Sequence, residues 1–162
     1  MIKILVICVA LGFNILPFKN IDRPTTTAEM AEYCNMTESE FILISSVVEA
    51  ESDRSTDGDL RGRVLIAETI LNRVADSRFP DTITGVLTQS GQFSTVRGGQ
   101  SVTNRTEYSD EAVMIAVQEI EQGIAPEVMF FNCRNFFSGY PQYECVGGNY
   151  FSLAQGGIQY DE

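Results

Sequence analysis

Glu49 is the residue of this sequence best placed to do acid chemistry. It follows directly on the apolar run Phe41-Ile42-Leu43-Ile44-Ser45-Ser46-Val47-Val48, just before the polar stretch 52–60. Burial disfavours the charged form of a carboxyl, and the partial negative charge of a helix C-terminus disfavours it further. Both push the group toward being protonated near neutral pH, as a general acid requires. The plainer reading of the same position is the first solvated residue beyond a core helix. The 162 residues include no histidine, so the usual general base, zinc ligand and partner of a Ser or Cys nucleophile are missing. Hydrolysis would then run on carboxylates. That points toward glycosidic bonds, where Asp and Glu alone can protonate a leaving oxygen and stabilise an oxocarbenium-like centre. A non-enzymatic binding module fits the same composition.

A carboxyl can act this way only if a folded body holds it. At 18.0 kDa with 44% apolar residues, the chain suits one domain with a single core. The net charge of −11 and pI near 4.4 repel phosphate backbones, so no nucleic-acid partner is expected. Met1-Ile2-Lys3 and the uncharged run 4–16, closed by Pro17 and Lys19, have the shape of a secretory signal over 1–19. It lacks an A-x-A cleavage site, so an uncleaved membrane anchor is the variant reading, and a core helix or strand the plain one. Residues 20–27 read as a linker, with the folded domain over 28–162.

Within the domain, Thr37-Glu38-Ser39-Glu40 has capping-box spacing before the run 41–48, which predicts a buried helix with a buried strand as the alternative. Val64, Ala67, Leu71 and Val74 mark a second helix ending near Ser77. Val113, Ala116, Val117 and Ile120 mark a third over 109–122, with Gly123 as terminator. Residues 90–106 have loop composition. Residues 128–131 and 149–153 read as strands around a Gly/Asn/Tyr-rich connection, so the fold class is α+β, a helical lobe with a small β lobe. Of four cysteines, Cys8 falls in the export segment; among Cys34, Cys133 and Cys145 the favoured disulfide is Cys133 with Cys145, against three buried free thiols. Asn72 and Arg73 read as structural, the alternative being an Arg73 pair with Asp53 or Asp76. Tyr140, Tyr143 and Tyr150 suit sugar stacking or simple packing.

Four blocks carry a family resemblance: Glu49-Ala50-Glu51-Ser52-Asp53, Gly62-Arg63-Val64-Leu65-Ile66-Ala67, Ile70-Leu71-Asn72-Arg73-Val74 and Arg78-Phe79-Pro80-Asp81-Thr82-Ile83. With the later landmarks Gly85-Val86, Gly91-Gln92-Phe93-Ser94, Phe130-Phe131-Asn132 and Gly148-Asn149-Tyr150-Phe151, the stretch 39–153 resembles the SleB-type cell wall hydrolases. The resemblance implies a compact lysozyme-like domain with a cleft between its lobes. It implies action between N-acetylmuramic acid and N-acetylglucosamine, as a lytic transglycosylase without metal or other cofactor. By the same match Glu49 is the catalytic acid, and Asp53 is the second acidic residue closing its motif. Gln92, Phe93 and Ser94 line the substrate groove, and Asn132, Asn149 and Tyr150 are further substrate-binding candidates. Peptidoglycan is the implied partner of an exported monomer, in the periplasm, wall or medium, touching membrane only through an uncleaved N-terminus. The acidic surface would repel anionic wall polymers, so binding must come from a shaped groove.

Three features depart from the family pattern. Asn149 stands where histidine is common, the loop 54–61 is longer than usual, and Glu68 replaces a small residue in mid-helix. Glu68 reads as a solvated helix carboxylate or as a second carboxylate facing Glu49. The rival chemistry is a muramidase using Asp53, Glu51 or Glu68. The rival class is a catalytically idle wall-binding module.

Overall fold

The computed structural model describes residues 23–52, 60–90, 92–93 and 104–154. Asp53, Ser94 and the N-terminal segment with Cys8 lie outside the described residues. Five helices are described: α1 (Thr27–Tyr33), α2 (Glu38–Glu51), α3 (Leu60–Ala75), α4 (Ile83–Leu87) and α5 (Glu107–Gln122). The strands are β1 (Val128–Asn132), β2 (Gln142–Val146) and β3 (Asn149–Leu153).

The helix starts are chemically specified. Thr37 Oγ1 accepts from Glu40 N at 3.2 Å while Glu40 Oε2 accepts from Thr37 N at 3.0 Å, the reciprocal capping box expected for α2. Phe41, Ile44, Val47 and Val48 are then fully buried, so the run 41–48 is helix and not strand. Thr26 and Glu29 repeat the box for α1, and Thr82 caps α4; both helices are too short to show a periodic signal. The C-terminus of α5 is Gly123 at φ 69°, the terminator read from the sequence.

α3 is the central element, packed on α2, α4, α5 and β1. Its buried residues run nearly round the helix: Val64, Leu65, Ile66, Ala67 and Ile70 pack in the core, while Arg63, Glu68, Thr69 and Arg73 are buried polar groups. Leu71 and Val74, assigned to the apolar face, are only half-buried against that core. Asn72 Nδ2 donates to the carbonyls of Pro126 and Val128, each at 3.0 Å, so it pins α3 to the start of β1. Asn72→Ala is expected to cost about 1–3 kcal/mol, because two main-chain carbonyls lose their donor together. Urea unfolding reads this directly, and an unchanged midpoint would contradict it.

The sheet is antiparallel in the order β1-β3-β2. β2 and β3 form a hairpin with Val146 opposite Asn149, and the two turn residues Gly147 and Gly148 have φ of 57° and 75°. A two-residue turn with both φ positive matches the right-handed twist of the strands, and glycine reaches it without strain. The turn packs on α3: a Cβ at Gly62 would stand 3.2 Å from the Gly147 Cα. β2 was not foreseen. It is an edge strand whose residues are exposed or half-buried, so no apolar run marks it.

Cys133 and Cys145 are exposed free thiols, which corrects the expected disulfide; Cys34 is free and buried, and burial pushes its thiol up to about 12. The reason is the strand order. Cys133 follows β1 and Cys145 lies on β2, with β3 between them. Two strand spacings are about 9–10 Å, beyond the roughly 7 Å that a disulfide spans between Cα atoms. No helix of the described residues is long and apolar enough to cross a membrane.

Candidate functional site

Glu49 lies in the last turn of α2, which runs three residues further than its apolar run and is capped by Ser52, whose hydroxyl donates to the Glu49 carbonyl at 2.8 Å. The residue is 9% exposed. Among the described residues its carboxyl receives two donors, and both meet the same oxygen: Thr106 Oγ1 at 2.7 Å and Arg63 Nε at 3.3 Å from Oε2. Arg63 comes from α3 and is itself 5% exposed, with Tyr108 across it, the ring centroid 6.0 Å from the guanidinium carbon. Thr106 is the N-cap of α5. Three helices thus converge on one carboxyl. The residue before Thr106 is anchored separately, since Arg105 donates to Thr27 Oγ1 of α1 and pairs with Asp110.

Neither Arg63 nor Thr106 was among the site residues read from the sequence. Arg63 stood within a resemblance block without a role, and Thr106 fell in the stretch assigned to loops. The available signal was Thr106 three residues before Ser109 at the head of an amphipathic helix, a pattern that marks a cap.

Asn149 is buried at the start of β3 and its amide donates to the main-chain carbonyl of Glu51 at 3.4 Å, tying the sheet to the end of α2 close to the acid. Gln92 accepts from the Arg73 guanidinium at 2.9 Å. Phe93 is 3% exposed and packs on Phe131 and Arg73 as part of the core cluster. Asn132 accepts from the Arg134 amide in a local turn, and Tyr150 sets its ring edge-on to Phe136 at 5.2 Å. Arg73 donates to the Met129 carbonyl at 2.8 Å, and Phe79, Phe93 and Phe130 surround it. Burial pulls the Arg73 guanidinium down to about 10. Asp76 pairs instead with Arg78. Arg73 and Asn72 are structural, as read.

Glu68 does not face Glu49, which corrects the idea of a second carboxylate there. Five residues separate it from Arg63 on α3, about 140° around the helix. It is 0% exposed, neither carboxyl oxygen receives a hydrogen bond among the described residues, and the Arg61 guanidinium stands 3.9 Å away. Its charged neighbours are Arg61, Glu119 and Glu144. Burial first, then contact with Glu119, pushes its carboxyl up to about 9 against the pull of Arg61. Arg61 also donates to Glu119 at 3.0 Å and to the Tyr143 hydroxyl at 3.2 Å, joining α3, α5 and β2. Among the described residues no group of three Cys, Asp or Glu is arranged to hold a metal ion.

A helical body carrying a nearly buried carboxyl, with a small antiparallel sheet at its flank, is the α+β class expected of a lysozyme-like domain. Comparison with known proteins gives the family: residues 58–151 match the model of the Cell Wall Hydrolase family, and the chain belongs to that family. Two spore cortex-lytic enzymes are similar in sequence. The one from Oceanobacillus iheyensis is 31% identical over 56% of this chain and 34% of its own length; the one from Bacillus cereus is 38% identical over 35% and 22%. The chain therefore spans about a third or less of these relatives. Among solved structures, the catalytic domain of the Bacillus cereus SleB protein aligns with a TM-score of 0.58 at 27% identity, over 72% of this chain and 91% of that one. The catalytic domain of the germination-specific lytic transglycosylase SleB from Bacillus anthracis gives 0.57 at 25% identity, over 72% and 95%. The mixed helical body with its three-stranded sheet is the fold of those catalytic domains.

Proposed function

We propose that this chain is an exported enzyme that cuts the glycan strands of peptidoglycan as a lytic transglycosylase, with Glu49 as its acid and then its base. Glu49 protonates the glycosidic oxygen between N-acetylmuramic acid and N-acetylglucosamine as that bond breaks. It then takes the proton of the muramic C6 hydroxyl while O6 closes onto C1, so no water is consumed. The observation that carries this reading is the convergence of α2, α3 and α5 on one nearly buried carboxyl. Of the other two buried carboxyls among the described residues, Glu68 turns away toward α5 and β2 and Asp110 is paired with Arg105, in keeping with chemistry that needs a single carboxyl. Membership of the cell wall hydrolase family supports the substrate, and the apolar run 4–16 supports export.

The test is a suspension of purified peptidoglycan treated with the purified protein. Loss of turbidity with release of soluble glycan fragments is expected. Sedimentation of the protein with the wall and no release would make it a binding module and overturn the proposal.

A further inference from the structure

Among the described residues both donors to Glu49 meet one oxygen, and this asymmetry assigns the two oxygens different work. We infer that Thr106 and Arg63 act as positioning residues, a one-sided clamp on Glu49 Oε2 that reserves Oε1 for the substrate; the inference rests on Glu49 being the acid. The Thr106 hydroxyl accepts from Ser109 N at 3.3 Å and donates to Glu49 at 2.7 Å, so its single proton is committed. Ser109 Oγ in turn accepts from Thr106 N and donates to the Thr106 carbonyl, each at 2.9 Å, which fixes the cap as a unit. Arg63 Nε–H points at the same Oε2 from the opposite helix.

A proton placed on Oε2 would stand against the Arg63 N–H and could be accepted by the Thr106 hydroxyl only if that hydroxyl turned its own proton away from Glu49. The transferable proton therefore sits on Oε1. When it passes to the glycosidic oxygen, the bonding pair of the broken C1–O bond leaves with that oxygen, and the carboxylate is left negative. That charge develops against an oxygen already held by a hydroxyl and a guanidinium, donors set in place before the reaction. The same clamp keeps Oε1 aimed at the C6 hydroxyl when the proton returns. Arg63 is held by burial under Tyr108, so it does not follow the substrate.

The experiment must separate this clamp from the capping of α5. Thr106→Gly remains a favoured N-cap but has no hydroxyl proton to donate and adds no charge beside Glu49. Thr106→Ser keeps both cap and hydroxyl. On soluble glycan fragments, Thr106→Gly is expected to lose about 100-fold in kcat with KM within about twofold, the scale of a removed preorganised donor. Thr106→Ser restores kcat to within about threefold, and Arg63→Gln, which replaces a cationic donor by a neutral one, loses about tenfold, again in kcat. Circular dichroism and melting confirm the fold of each variant; should Thr106→Gly not fold, the kcat and KM of Arg63→Gln decide alone. Wild-type kcat in folded Thr106→Gly or in Arg63→Gln, alongside an inactive Glu49→Gln, would overturn the clamp while leaving the acid in place. Normal turnover by Glu49→Gln would remove the acid, and the clamp with it.

Discussion

Glu49→Gln is expected to fold as the wild type does and to lose at least about 100-fold in turnover, the scale of a positioned general acid. Glutamine keeps the size of the side chain, and its carbonyl oxygen can still accept from Thr106 and Arg63, the two donors that hold Glu49 Oε2. What it cannot do is deliver or receive the proton. Initial rates of the purified variant on soluble glycan fragments read the effect, with circular dichroism as the control for fold. Near-wild-type turnover would remove Glu49 from the chemistry altogether.

Glu68→Gln is expected to do the reverse for stability: it should make the protein more stable, and more so as pH rises. The folded protein holds the Glu68 carboxyl up to about 9, while in the unfolded chain it titrates in the ordinary carboxyl range, about 4.3. Stability linked to this group is therefore fully present below the ordinary range and is lost progressively as pH rises toward about 9. Above that it is flat. At neutral pH the loss reaches the order of 3 kcal/mol, an upper figure since the surroundings relax. Glutamine does not titrate, fits the same volume, and its amide can donate to Glu119 beside it. Urea unfolding of both proteins at about pH 5 and pH 8.5 should show a small difference at the first and a clear gain for Glu68→Gln at the second. A variant less stable than wild type at the higher pH would mean that Glu68 is ionised and held by Arg61. Removing one partner of such a buried ion pair is destabilising.

Much of the helical body was legible because its signals are local. The Thr37 and Glu40 box, the buried run 41–48 and the Gly123 terminator each act within a few residues, and two of the resemblance blocks, 62–67 and 70–74, lie on α3. What the sequence hid depends on contacts distant along the chain. Arg63 and Thr106 reach Glu49 only after α3 and α5 pack beside α2, separations of 14 and 57 residues that no spacing rule covers. β2 was hidden because it lies at the sheet edge, where neither face demands apolar residues. The cysteine pairing failed for a related reason: proximity to the same connection says nothing of which strand lies between, and β3 does. Glu68 read as a solvated helix carboxylate because α3 was taken to bury one face, whereas it is surrounded.

The most direct measurement is the mass of the fragments released when purified peptidoglycan is digested by the wild-type protein. Transfer to the C6 hydroxyl leaves an anhydro end on the muramic sugar, lighter by one water than a hydrolysed end. Fragments carrying that anhydro end are the predicted result, and they should be absent after digestion with Glu49→Gln. Fragments ending in hydrated reducing muramic acid would instead mean that water attacks, which contradicts the transglycosylase reading.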